Sequence, residues 1–139
     1  MIVKTIAEQT IPSDLSRVSG LVDPVVEKLQ ALGLDEGTVF NMKLCFHEAV
    51  VNAINHGNKG NKALTVHVAV KADAQELVFE VTDQGKGFDH HALPDPTSEE
   101  NIGKYHGRGI YLMKTMMDRV MFLNEGRTVK MVKLLKGGS

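Results

Sequence analysis

The sequence predicts an α+β fold, a two-layer sandwich in which one mostly antiparallel sheet carries helices on one face. Apolar residues recur at helical spacing in the first half of the chain and alternate at strand spacing in the second half. The predicted strands are joined by links that suit hairpins better than helical crossovers. With 139 residues, a single domain covering 1–139 is the expected organisation.

The composition is that of an ordinary soluble globular domain, since 42% of the residues are hydrophobic and 24% are charged. A net charge of −1 gives no reason to expect binding to nucleic acid or to an anionic membrane. The single Cys45 excludes an internal disulfide and fits a reducing compartment. The N-terminus lacks signal-peptide features, and no apolar run reaches the roughly 20 residues of a membrane span. We therefore expect a cytoplasmic protein with no direct nucleic-acid or membrane partner.

The first predicted elements are an edge strand and a long helix. Residues 2–7 alternate weakly, as in an edge strand. Ser13 or Asp14 is the predicted N-cap of the helix, whose apolar residues keep helical spacing as far as Gly33. Because Pro24 lies inside this pattern, we expect a kink or a break into two pieces there.

The second half of the chain predicts two hairpins separated by a long loop and a short helix. The loop covers residues 89–106, which show no periodicity, and a stretch of this length is usually functional or mobile. The short helix follows the loop and includes Ile110 and Met113. The predicted strands are 63–71, 76–82, 119–124 and 128–135.

The most informative stretch is a helix predicted from Val39 to about Asn55. At about 100° per residue, its apolar residues gather on one side, namely Val39, Met42, Phe46, Ala49, Val50 and Ala53. The opposite side carries a narrow stripe of acid and amide residues, namely Asn41, Glu48, Asn52 and Asn55. Glu48 and Asn52 are one helical turn apart, so their side chains project side by side.

Glu48 and Asn52 suit a polyanionic ligand that carries a metal ion. An Asn carbonyl is a hard oxygen ligand for Mg²⁺, which also takes oxygens from phosphates. A Glu one turn earlier can orient or deprotonate a nucleophile aimed at the outermost phosphate. The alternative is an amphipathic helix with an ordinary solvated edge and Gly57 as its C-cap.

The first of two glycine motifs is Asp83-x-Gly85-x-Gly87, which directly follows a predicted strand. Its glycines permit positive φ angles and a close approach of the backbone to a ligand. Asp83, at the strand end, can accept a hydrogen bond from an exocyclic amine such as that of adenine. The alternative is a plain turn in which Asp83 caps its own backbone.

The second motif, Gly107-x-Gly109, opens a predicted helix, where free N–H groups can hold phosphate oxygens. Arg108 between the glycines can add a charge-assisted contact to phosphate or to a docked partner. The alternative is a flexible loop end. A Rossmann site is excluded because Gly107 follows a loop and not a strand, and a P-loop because no Gly-Lys-Ser/Thr occurs.

In chain order, these motifs resemble the GHKL ATPases, the superfamily of gyrase-type topoisomerases, heat-shock chaperones and histidine kinases. Within that superfamily the sequence resembles the anti-sigma-factor serine kinases, which are also small single domains. The matching segments are residues 48–57 for the N box, 83–88 for the first glycine box and 107–110 for the second, with further likeness at 92–96 and 111–113.

The resemblance implies a Bergerat-type fold with a site for ATP and Mg²⁺. By position, Asn52 would be the Mg²⁺ ligand, Glu48 the general base and Asp83 the partner of the adenine amine. The other implied cofactor-binding residues are Gly85 and Gly87 in the adenine pocket, Gly107 and Gly109 at the phosphates, and Asn55 or Asn58 near the sugar or phosphates.

The resemblance further implies an ATP- and Mg²⁺-dependent serine/threonine protein kinase that binds a sigma factor and phosphorylates an anti-sigma-factor antagonist. It also implies a homodimer. One alternative is an ATP-binding partner-switching module without phosphotransfer, against which Glu48 counts because a pure binder needs no base. The other is a stand-alone ATPase part of a two-component histidine kinase system, which acid-labile phosphohistidine would reveal.

Overall fold

The computed structural model describes residues 3–85 and 107–135. The strands of this part are β1 (Lys4–Pro12), β2 (Thr65–Ala72), β3 (Glu76–Thr82), β4 (Arg119–Leu123) and β5 (Thr128–Leu134). They form one antiparallel sheet in the order β1-β2-β3-β5-β4. The α-helices are α1 (Val18–Ala31), α2 (Glu36–Asn52) and α3 (Gly107–Met116). Within the described ranges, no helix is long and apolar enough to cross a membrane.

One face of the sheet is apolar and packs against the helices, which confirms the predicted α+β sandwich. In β3, the buried residues Leu77, Phe79 and Val81 alternate with half-buried ones, because successive side chains of a strand point to opposite faces. Phe79 packs on Phe46 of α2, with ring centroids 5.3 Å apart. Burying each large apolar side chain of this kind contributes about 1.5–3 kcal/mol to folding.

The edge strand is longer than predicted, because β1 continues through Pro12 instead of ending near residue 7. It pairs with β2, and the register of this pairing shifts between Thr5 and Ala7. The shift interrupts the alternation of apolar and polar residues by which a strand is recognised in sequence. Its place at the edge of the sheet is confirmed. The predicted loop at 89–106 lies outside the described residues.

Helix α1 runs unbroken through Pro24, so of the predicted kink or break, the break is wrong. Proline cannot donate to the carbonyl of Gly20 four residues earlier. Both residues are exposed, so water can satisfy that carbonyl. Val22 and Val25, on the opposite side, are 1% and 2% exposed and hold the helix against the core.

The predicted central helix forms as α2 and then widens into a π-helical turn over Ala53–Gly57. Asp35 caps its start by accepting a hydrogen bond from the N–H of Thr38 at 2.6 Å. At its end, the N–H of Asn58 donates to the carbonyl of Ala53 at 2.8 Å, a five-residue span. The apolar side predicted from the sequence is buried, at Val39, Met42, Phe46, Ala49, Val50 and Ala53, and Cys45 joins it. The π turn itself was not predicted.

Candidate functional site

The acid and amide stripe of α2 lies on the side of the helix that faces away from the core. Glu48 and Asn52 are half-buried, one turn apart, and Asn55 in the π turn is exposed. The side chains on the buried side, such as Phe46 and Val50, fix the rotation of the helix about its axis. The side chains of the stripe are therefore held on one side of the sandwich, although they are not themselves packed into the core.

The turn after β3 packs directly against the π turn of α2. Asp83 begins this turn and is 9% exposed. Its Oδ1 accepts a hydrogen bond from the N–H of Gly85 at 2.8 Å. Burial raises the pKa of the Asp83 carboxyl, while the Gly85 hydrogen bond and the charge of Arg127 act in the opposite direction. The result is a fixed, largely desolvated carboxyl group that can accept a further hydrogen bond.

Two glycines make this close packing possible. A Cβ atom on Gly57 would overlap the carboxyl group of Asp83, and one on Gly85 would overlap the carbonyl oxygen of Gly57. Neither glycine has a positive φ, so the site needs them for space and not for a left-handed backbone. Gly85 thus approaches the backbone of Gly57 closely and without a positive φ, while its expected approach to a ligand stays a prediction.

Gly57 belongs to the site, whereas the sequence suggested only a C-cap for it. In the structure the C-cap is Asn58, and Gly57 contacts the Asp83 turn. Its place in the segment 48–57, which resembles the N box, is the sequence signal that could have found this role. An ordinary C-cap glycine has a positive φ, and Gly57 does not.

Arg127 also belongs to the site, although no sequence motif pointed to it. Its Nε donates to the carbonyl oxygen of Gly85 at 2.7 Å, and its own carbonyl accepts from the N–H of Asp83 at 2.9 Å. The preceding turn contains three residues in the left-handed region, Asn124, Glu125 and Gly126, with φ of 53°, 60° and 87°. This tight reversal between β4 and β5 places Arg127 beside the Asp83 turn.

Asn58 is 2% exposed, and its amide group is engaged by the protein. Its Nδ2 donates to Ser13 Oγ at 2.7 Å and to the Thr65 carbonyl at 2.9 Å. Its Oδ1 accepts from the N–H of Gln84 at 2.8 Å. The implied contact of Asn58 with a sugar or phosphate is therefore wrong, which leaves the exposed Asn55 as the candidate for that role.

The second glycine motif opens a helix, as predicted, because α3 begins at Gly107 and includes Gly109. Helix α3 packs against α2, the helix that carries Glu48 and Asn52. The candidate Gly87 lies outside the described residues, and so does the side chain of Arg108. The structure thus brings Gly57, Asp83 and Gly85 into contact at the end of the helix that carries the acid and amide stripe.

This fold and this site define a histidine kinase-like ATPase domain. Residues 11–133 match the family of that description, and the chain belongs to it. Such a domain binds ATP, so the expectation of an ATP site is confirmed at this level.

Curated relatives give the class of enzyme. The serine-protein kinase RsbW of Bacillus licheniformis is 32% identical over 111 residues, covering 75% of this chain and 69% of the relative. The protein of the same name from Bacillus subtilis is 30% identical over 120 residues, covering 76% and 71%. The one from Staphylococcus epidermidis is 26% identical over 137 residues, covering 93% and 86%. These similarities confirm the predicted enzyme class, a serine/threonine protein kinase.

Proposed function

We propose that this protein is an ATP- and Mg²⁺-dependent anti-sigma-factor kinase, which binds a sigma factor and phosphorylates a serine of an antagonist protein. One observation carries the nucleotide part of the proposal. Because Gly57 and Gly85 have no side chain, the Asp83 carboxyl group can pack against the end of the helix that bears Glu48 and Asn52. The resemblance to anti-sigma-factor kinases, together with the serine-protein kinases among the relatives, supports the substrate class, and the resemblance alone implies a homodimer.

Asp83 suits the exocyclic amine of adenine. Its carboxyl group is largely removed from water, so a hydrogen bond from the amine would not compete with bulk solvent. The bond from the Gly85 N–H to Oδ1 holds the group in one orientation. Gly57 and Gly85 lack a Cβ atom, so the helix end and the turn can pack closely around the carboxyl group in this orientation.

Asn52 and Glu48 suit the phosphate end of the nucleotide. The half-buried Asn52 offers an amide oxygen, a donor type that Mg²⁺ accepts alongside phosphate oxygens and water. When bound, Mg²⁺ supplies charge neutralisation at the outer phosphates. Glu48, one turn earlier, would orient the serine hydroxyl and accept its proton as the oxygen attacks the γ-phosphorus. The free N–H groups at the start of α3 would hold phosphate oxygens.

The test is transfer of the γ-phosphate of labelled ATP, with Mg²⁺, to candidate antagonist proteins by the wild type and by Glu48→Ala. General-base catalysis contributes about 10²–10⁴-fold, so Glu48→Ala should lose transfer by that factor and still bind ATP. The matched control is Glu27→Ala, which removes an exposed acid from α1 and should transfer phosphate at the wild-type rate.

The chemistry of the product separates this proposal from its two alternatives. Acid-stable label on a serine of the antagonist, lost in Glu48→Ala, is the expected result. Tight ATP binding by the wild type without transfer to any candidate would favour a partner-switching module. Acid-labile label would favour a role in a histidine kinase system. Normal transfer by Glu48→Ala would remove Glu48 from the mechanism.

A further inference from the structure

Asn58 joins three segments of the chain from inside the protein. Through its Nδ2 it holds Ser13, directly after β1, and Thr65, at the start of β2. Through its Oδ1 it holds the N–H of Gln84, in the middle of the Asp83 turn. A second bond reinforces this junction, because the N–H of Thr65 donates to the Oε1 of Gln84 at 2.7 Å.

The π turn gives Asn58 this position. The five-residue bond to the Ala53 carbonyl anchors the backbone of Asn58 to the end of α2. Gly57 and Asn58, which are consecutive, then meet the consecutive residues Asp83 and Gln84 of the opposite turn. Asn58 is thus the point at which the helix end and the Asp83 turn are hydrogen-bonded to each other.

We propose that Asn58 is a positioning residue for base recognition, which sets the direction of the Asp83 carboxyl group toward the exocyclic amine of a purine nucleotide. This inference rests on the proposed nucleotide-binding function. Asn58 acts through the turn and does not touch the nucleotide, because it is 2% exposed and its amide is committed to protein partners. Its loss therefore weakens recognition of the amine in particular, and not the contacts to the phosphates.

Truncation of Asn58 would leave the turn hydrogen-bonded to β2 only through the side chain of Gln84, and not through its backbone. Arg127 would still bind the Gly85 carbonyl, and the Gly85 N–H would still reach Asp83. The N–H of Gln84 would have lost its acceptor, so the backbone next to Asp83 would no longer be tied to the helix end. Hydrogen bonds weaken steeply as their angle departs from linearity, so a carboxyl group with a variable direction distinguishes an amine less well.

The experiment compares ATP with purine riboside triphosphate, which differs from ATP by the loss of the exocyclic amine. Dissociation constants for both are measured by calorimetry, with Mg²⁺, for the wild type, Asn58→Ala and Ser13→Ala. The wild type should prefer ATP, and Asn58→Ala should lose up to about tenfold of that preference, the value of one good hydrogen bond. Ser13→Ala is the matched control, since Ser13 is equally buried and binds the same amide, while its other hydrogen bonds go to the carbonyl of Leu64.

A purely structural role of Asn58 would lower the folded fraction, which raises both apparent dissociation constants by the same factor and leaves their ratio unchanged. An unchanged ratio in Asn58→Ala would therefore overturn the inference, and so would an equal loss of preference in Ser13→Ala. If Asn58→Ala does not fold, Asn58→Ser takes its place, because its hydroxyl is one bond too short to replace Oδ1 and the same loss is expected. A wild type that binds neither nucleotide would refute the proposed function itself, and this inference with it.

Discussion

At the residue scale, Gly57 is a position where a single added carbon atom would reach the Asp83 carboxyl group. A Cβ atom there would overlap the carboxyl group of Asp83 and come within 2.9 Å of its Cβ. Asp83 cannot yield easily, because its backbone N–H is bonded to the Arg127 carbonyl and its Oδ1 to the Gly85 N–H. Either the turn or the helix end must therefore move.

Gly57→Ala should weaken ATP binding by more than about tenfold and lower the free energy of unfolding by about 1–3 kcal/mol, the usual result of overpacking. Calorimetry and urea unfolding measure the two effects. Gly20→Ala is the matched control, since a Cβ there would have nothing within 4 Å and the φ of Gly20 is not positive. In the interior of α1 it should instead stabilise the protein by about 0.5–1 kcal/mol. Wild-type ATP affinity in Gly57→Ala would contradict the packing argument.

The ionisation of Asp83 leads to a second prediction, which concerns the pH dependence of the unfolding free energy. Burial raises the pKa of this carboxyl group above its ordinary value of 3.8, so its ionisation is less favourable in the folded than in the unfolded protein. The stability associated with protonated Asp83 is fully present below pH 3.8 and is lost as the pH rises through the folded-state pKa. Asp14, whose pKa is lowered by hydrogen bonds to Ser16, has the opposite dependence.

Asp83→Asn isolates this effect, because the amide keeps an oxygen for the Gly85 N–H but cannot ionise. As the pH rises from 3.8 towards neutrality, the unfolding free energy of the variant should increase relative to that of the wild type. Urea unfolding at a series of pH values measures the difference, in which the contribution of Asp14 and all other shared groups cancels. A difference that does not vary with pH would show that burial does not affect Asp83 in this way.

At the element scale, the sequence predicts the elements whose periodicity reflects burial on one side. Helix α2 is the best example, because the residues that gather on the apolar side of its helical wheel are the buried ones. Pro24 misleads because local propensity opposes a helix, whereas the packing of Val22 and Val25 supports one. The π turn after α2 is not predictable from local pattern, because Asn58 at its end is held by residues distant in the chain, namely Ser13 after β1, Thr65 of β2 and Gln84 of the Asp83 turn.

The same distinction holds for the candidate site. Glu48, Asn52, Asp83 and Gly85 are recognisable because each belongs to a local motif whose chemistry suits a nucleotide. Arg127 and Asn58 are not, since they act through partners that are distant in the chain. The Arg127 to Gly85 bond spans 42 residues, and the Asn58 to Ser13 bond spans 45. Such pairings are set by strand order, which the sequence pattern leaves open.

At the scale of the whole molecule, the sheet order explains why so many segments meet at the Asp83 turn. Strand β3 is the central strand of the sheet, and Asp83 directly follows its last residue, Thr82. Strand β2 supplies Thr65 on one side, and Arg127, directly before β5, lies on the other. Thr82 is also bonded through its hydroxyl to that of Thr128 in β5, at 2.8 Å. A ligand at this turn therefore contacts a junction of the sheet and α2.

Binding at such a junction should stabilise the whole domain, because the unfolded chain has no such site. ATP with Mg²⁺ at 100 times its dissociation constant adds about 2.7 kcal/mol to the unfolding free energy. With a typical unfolding entropy of about 2.1 cal/mol/K per residue, the midpoint of thermal unfolding of a 139-residue chain should rise by about 9 °C. Chelation of Mg²⁺ by EDTA should remove part of this rise.

Asn52→Ala should retain a smaller rise that no longer depends on Mg²⁺, because the variant lacks the proposed metal ligand. Asn41→Ala is the matched control, since it removes the same side chain from the same side of α2, about 16 Å nearer the start of the helix. It should keep the full dependence on Mg²⁺. Scanning calorimetry of both variants, with ATP and either Mg²⁺ or EDTA, makes the comparison. If Asn52→Ala responds to Mg²⁺ as the wild type does, the metal is held elsewhere, although the adenine end of the site would be unaffected.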